Sequence, residues 1–100
     1  MKEKDTSIRE LFHQPPTETL TDVSVSGWVR TVRDSKAFGF IELNDGTYFK
    51  NLQIVLEDGK TADFANALKV TLGSAIRAKG DLVPTPGMKQ PFELKAKEIE

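Results

Sequence analysis

Residues 27–45, G-W-V-R-T-V-R-D-S-K-A-F-G-F-I-E-L-N-D, alternate in the manner of a β-hairpin. Successive side chains of a strand face opposite sides. Ala37, Gly39, Ile41 and Leu43 therefore share a small, aliphatic face, and Phe38, Phe40, Glu42 and Asn44 share the other. A buried face would not normally carry Glu42 and Asn44, which turns the two phenylalanines toward solvent. Parity alone leaves core packing open for both. Outward aromatics beside Arg30, Arg33 and Lys36 have the composition of a base-stacking surface.

The same alternation organises the rest of the chain. Ser7-Ile8-Arg9-Glu10 has the spacing of a capping box, and Ile8, Leu11 and Phe12 fall on one side of a short helix that Gln14-Pro15-Pro16 stops. Val23, Val25, Gly27 and Val29 keep one parity and Val32 takes the other; a phase slip near a glycine predicts a bulge or bend. Asp34-Ser35-Lys36 is expected to turn into a strand over 37–43, and Asn44-Asp45-Gly46 is a second turn. The next strand sets Leu52, Ile54 and Leu56 inward and Asn51, Gln53 and Val55 outward, up to the turn at 57–60. Residues 61–68 read as a short helix with Thr61 as cap and Phe64 and Leu68 on one face. A strand over 74–83, with Ile76, Ala78, Gly80 and Leu82 inward, a rigid loop at 84–87 and a last strand over 92–99 complete the pattern. Five strands, a short N-terminal helix and a helix between strands three and four match an all-β oligonucleotide/oligosaccharide-binding (OB) barrel. A small open α+β sheet is the alternative. Residues 1–16 are expected to form a helical leader packed on a barrel of residues 17–100.

Composition narrows the function. One hundred residues make one domain, with ordinary hydrophobic and charged fractions. No apolar run is long enough to span a bilayer, and the charged opening M-K-E-K-D-T-S does not read as a signal peptide, so a cytoplasmic setting is expected. The absence of cysteine and a single histidine argue against a metal site. A net charge of −1 argues against a grip dominated by phosphates, but not against reading a few unstacked bases. No enzyme signature is found: His13 sits beside two prolines, and Gly39, Gly46 and Gly59 stand alone without a following helix.

Each candidate residue also has an ordinary explanation. Gln53, on the outward parity, offers a donor and an acceptor to one base edge, as any exposed glutamine does. Arg33 is suited to a phosphate or base, and equally to a bridge with Asp34 or Glu42. Trp28 is expected in the core or at a hinge, because a lone tryptophan is valuable for packing in so small a barrel.

The segment V-S-G-W-V-R-T-V-R-D-S-K-A-F-G-F-I-E-L-N-D-G at 25–46 resembles the N-terminal anticodon-binding domain of bacterial asparaginyl-tRNA synthetases. K-N-L-Q-I-V at 50–55, G-S-A-I at 73–76, K-Q-P-F-E-L-K-A-K-E-I-E at the end and S-I-R-E-L-F at 7–12 extend the likeness over nearly the whole chain. Aspartyl- and lysyl-tRNA synthetases share the domain type, but the wording at 36–45 is nearest the asparaginyl enzymes. The resemblance implies an OB barrel that holds the anticodon stem-loop of tRNA-Asn around its central uridine. Phe40 would stack on that base, Gln53 would bond its edge, Arg33 would assist and Phe38 would support the platform. The segment 84–90 would approach the flanking bases. The resemblance further implies a class II catalytic domain and a homodimer partner outside this sequence. ATP and magnesium would belong there, and no cofactor or catalysis here. A general single-strand binder, or an OB scaffold with no RNA role, would share the fold.

Overall fold

Inward apolar positions and outward polar ones close into a barrel. A computed structural model describes residues 6–13, 15–35, 37–62, 64–67, 69–85 and 91–99, without the Asn66 side chain. The elements run α1 (Ile8–His13), β1 (Leu20–Ser35), β2 (Phe38–Asn44), β3 (Leu52–Glu57), α2 (Phe64–Ala67), β4 (Ala75–Pro84) and β5 (Phe92–Ile99). The strands close in the order β1-β2-β3-β5-β4. Neighbours are antiparallel except β3 and β5, which run parallel and meet through Ile54↔Leu94 and Val55↔Lys95. This is the five-stranded OB architecture, not an open sheet.

The core comes from the inward parity of each strand: Val25 and Val29, Ile41 and Leu43, Leu52, Ile54 and Leu56, Ile76, Ala78 and Leu82, and Phe92, Leu94 and Ala96. α1 adds Ile8 and Leu11 to the same cluster. So short a helix has little stability of its own, and its first amides are bonded individually. Glu10 N–H donates to Ser7 Oγ (3.1 Å), Ile8 N–H to Asp45 Oδ2 (2.8 Å) and Arg9 N–H to Thr47 Oγ1 (3.0 Å). The capping box is thus half as predicted: Glu10 meets the Ser7 hydroxyl (3.1 Å), and the β2–β3 turn supplies the other two acceptors.

Two close approaches between strands leave room only for glycine. A Cβ on Gly27 would lie 2.6 Å from the Asn44 carbonyl oxygen. A Cβ on Gly80 would collide with the Lys95 carbonyl, where β4 shifts register against β5. The predicted phase slip is a bulge at Arg30: Val29 pairs with Leu43 and Thr31 with Glu42. This extra residue changes the parity of β1, so that Val32 faces Ile41 inside and Arg33 joins Phe40 outside.

Several expectations need correcting. β1 continues through Ser35, which pairs with Phe38, so the predicted turn at 34–36 is mostly strand. Trp28 is 51% exposed, because it shares the outward parity of Ser26 while Val25 and Val29 take the inside. Val55 has the outward parity but is only 8% exposed, flanked by Phe40 on β2 and Lys95 on β5. Between β3 and β4 the described residues form one helical turn, shorter than the predicted 61–68. Thr61 does not cap it: its buried hydroxyl accepts from Glu57 N–H (2.9 Å) and donates to the Ala96 carbonyl (2.7 Å), tying β3 to β5. Pro84 closes β4 opposite Phe92 instead of opening a loop; residues 86–90 of the predicted flanking-base segment lie outside the described residues.

Candidate nucleic-acid interface

Cross-strand register assembles the outward face of β1, β2 and β3 into rows. Arg33, Phe40 and Val55 form one row, and Thr31, Glu42 and Gln53 form the next. The Arg33 guanidinium lies over the Phe40 ring, 5.6 Å from its centroid, and leaves Phe40 half-buried. Gln53 Nε2 donates to Glu93 Oε2 (3.2 Å), and Thr31 Oγ1 donates to Glu42 Oε2 (2.8 Å). A carboxylate only accepts, so the bond to Glu93 favours the facing of the Gln53 amide that turns its nitrogen toward Glu93. One N–H and the Oε1 acceptor are left for a ligand.

This arrangement suits a base better than a phosphate. Glu42 and Glu93 flank Gln53 and would repel an anion placed on it. The Watson–Crick edge of a pyrimidine carries N–H and carbonyl groups that match an amide. The aromatic ring on these rows is Phe40, half-buried under Arg33. A cation over an exposed ring gains about 0.5–1 kcal/mol, less than the roughly 1–3 kcal/mol of a stacked base. A base stacked there would therefore have to displace the guanidinium or lie beneath it, and a displaced Arg33 would be free to meet a phosphate.

An open groove of about 670 Å³ borders this face, and its lining includes Arg33, Glu42 and Gln53 from the strands together with Phe12, Phe49 and Lys50; Phe40 stands beside it on the neighbouring row and does not line it. Its size is that of pockets that hold small molecules. Phe49, 79% exposed, and Lys50 were not singled out from the sequence as site residues. The available signal was the run Tyr48-Phe49-Lys50 directly after the N-D-G turn, two aromatics and a cation in a loop.

The remaining sequence candidates fall elsewhere. Phe38, 42% exposed, sits at the hairpin end between Ser35 and Glu57 and does not line the groove. Arg30 is the exposed bulge residue and does not line it either. Lys36 lies outside the described residues. Among the described residues no group of His, Cys, Asp or Glu is placed to hold a metal ion, and no helix is long and apolar enough to cross a membrane.

Comparison with known proteins adds the family. Residues 23–100 match the tRNA anti-codon family model, described as an OB-fold nucleic acid binding domain. The asparagine–tRNA ligase of Acetivibrio thermocellus is 57% identical over 97 residues, covering 97% of this chain and 21% of that protein. The ligase of Alkaliphilus metalliredigens is 50% identical over 97 residues, with the same coverage. The chain thus spans about a fifth of these relatives' length. The fold also superposes on asparaginyl-tRNA synthetase from Pyrococcus horikoshii complexed with asparaginyl-adenylate, with a TM-score of 0.82 at 19% identity, over 99% of this chain and 22% of that one. With the barrel closed in OB order and the family match covering most of its length, the chain belongs to the OB-fold nucleic acid binding domains of the tRNA anticodon type, in the form found in bacterial asparaginyl-tRNA synthetases.

Proposed function

We propose that this chain is a non-catalytic module that reads the anticodon loop of tRNA-Asn, with Phe40 stacked on the central uridine and Gln53 bonded to its edge. The observation that carries the reading is the pairing, on adjacent rows of one face, of a ring covered by a displaceable cation with an amide held in one orientation. Uracil presents an N3–H donor beside the O4 acceptor, whereas cytosine presents the N3 acceptor beside an amino donor. A free amide would turn over to suit either. An amide tied to Glu93 offers its acceptor and donor in one order along the base edge, and so has a basis for choosing between them.

The rest of a ligase of the relatives' length would supply the class II catalytic domain, its ATP and magnesium, and the homodimer contacts. The setting would be the cytoplasm, where charged tRNA is used. The modest charge suits a loop, whose bases can be splayed out, better than a duplex.

Titration with a stem-loop carrying GUU, and with a control carrying GCU, tests the reading through amide shifts and affinities. Phe40→Ala is expected to weaken GUU binding by about 1–2 kcal/mol, the stacking gain less the displaced cation–ring contact. Gln53→Ala is expected to bring the two loops closer in affinity. Equal affinity of the parent for both loops would point to a general single-strand binder. No binding of either would leave an OB scaffold. Full binding by Phe40→Ala would refute the stacking assignment.

A further inference from the structure

The aromatic loop that lines the groove together with Gln53 has a construction of its own. Four rings run from the core to the surface: Phe92 against Phe12 (centroids 4.8 Å apart), Phe12 stacked on Tyr48 (5.0 Å, 21° between planes) and Tyr48 against Phe49 (4.6 Å). Phe92 is fully buried and Phe49 is 79% exposed. The Lys50 ammonium lies 5.9 Å from the Phe12 centroid and 5.8 Å from that of Phe49. Asp45 and Thr47, just before the aromatics, hold the first amides of α1, so the helix that supplies Phe12 is fastened to the same loop.

A single exposed phenylalanine is ordinary on a protein surface. Three further observations set Phe49 apart. Its ring is mounted on a stack that reaches the core, so little ordering remains to be done on binding. A cation stands beside it. And it walls the same groove as Arg33 and Gln53. A flat apolar face next to an ammonium complements a nucleotide, which joins a flat base to a phosphate.

We infer that Phe49 and Lys50 form a second nucleotide subsite, Phe49 stacking on the base next to the one held by Phe40 and Lys50 meeting a phosphate between or beside them. The inference rests on the anticodon-loop reading and extends it from one base to two. A base stacked on Phe40 and its neighbour stacked on Phe49 would be held on separate rings, which would unstack them from each other and leave the central base edge to Gln53.

The experiment measures binding of the 100-residue chain to GUU stem-loops in which each loop nucleotide in turn is abasic, for the parent, Phe49→Ala, Phe49→Leu and Phe40→Ala. Phe49→Ala is expected to weaken the intact loop roughly five- to a hundred-fold, and to cost nothing further on the one loop abasic at the neighbouring position. It should retain its cost on the loop abasic at the central position, where Phe40→Ala in turn costs nothing. Phe49→Leu keeps bulk against Tyr48 without a stacking face and should lose affinity in the same way, which separates stacking from loop collapse. Lys50→Gln should lower the slope of log K against log salt by about 0.7. A Phe49→Ala loss below two-fold, or an equal loss on every abasic loop, overturns the subsite; an unchanged salt slope removes Lys50 from it. If instead Phe49 couples to a base while Phe40 couples to none, the central-base reading fails alone. No binding by the parent overturns both.

Discussion

Replacing Asp45 with alanine removes three hydrogen bonds from two elements at once. Its Oδ2 accepts from Ile8 N–H at 2.8 Å, and its Oδ1 accepts from Thr47 N–H at 3.0 Å and Thr47 Oγ1 at 2.6 Å. The Ile8 bond is partly buried and charge-assisted, worth about 1.5–2 kcal/mol by comparison with lost helix caps and bonds to ionised groups. The turn bonds are exposed and add about 0.5–1 kcal/mol. The expected loss is therefore about 2–3 kcal/mol. Undocking α1 altogether would instead expose Ile8 and Leu11, both in the core, at about 1.5–3 kcal/mol each. Cap loss is the smaller quantity, so the helix stays seated in Asp45→Ala and opens more often.

Urea unfolding reads the first number. With a slope of about 1.5 kcal/mol/M, typical of a small domain, the midpoint should fall by about 1–2 M. Hydrogen exchange reads the second. The Leu11 amide, bonded to the Ser7 carbonyl at 3.3 Å, should exchange roughly 30-fold faster or more while the β-strand amides follow only the global change. Asp45→Asn keeps one acceptor oxygen and should lose about half as much. A midpoint within about 0.3 M of the parent, with Leu11 equally protected, would show that the turn does not hold the helix.

Two further outcomes follow from the packing. Gly80→Ala places a methyl against the Lys95 carbonyl at the register shift between β4 and β5 and should destabilise by at least the 1–3 kcal/mol or so of core overpacking, seen as a lower urea midpoint. Trp28→Ala removes an indole that is 51% exposed, and should cost about 1–2 kcal/mol, below the 3–5 kcal/mol or so of a buried tryptophan; a larger loss would mean that the indole is buried in solution.

The sequence was readable where periodicity carried the information. Leu52, Ile54 and Leu56, and Ile76, Ala78 and Leu82, face inward as alternation predicts, and the break between Val29 and Val32 is the bulge at Arg30. Trp28 was misplaced because a packing argument from its size overrode a parity that set it with Ser26 on the outside. Val55 faces outward as its parity predicts and is nonetheless covered, because alternation reports direction and not what lies over a side chain. Thr61 was read as a cap from local spacing, but its partners include Ala96, thirty-five residues away. The caps of α1 were out of reach for the same reason, since Asp45 and Thr47 come from the β2–β3 turn. Of the candidate site, strand parity and family resemblance placed Phe40 and Gln53 together. The loop at Tyr48–Lys50 has no period to reveal it, and its part in the groove emerges only from ring contacts.

The charge arrangement bears on how such a site would choose its ligand. The groove is lined by two cations, Arg33 and Lys50, and by Gln53, which has the carboxylates Glu42 and Glu93 beside it. A phosphate placed at Gln53 would meet repulsion from those carboxylates, whereas one placed at Arg33 or Lys50 would leave Gln53 for a base edge. With few phosphate contacts, little binding energy is common to all sequences. Stacking supplies affinity with slight regard for base identity, so discrimination falls to the oriented amide. On the proposed reading the Gln53–Glu93 bond would matter more to choice than to strength. Glu93→Ala, which frees the amide to turn over, should leave affinity for the GUU loop nearly unchanged and narrow its margin over the GCU loop. An undiminished margin would refute the role given to the bond.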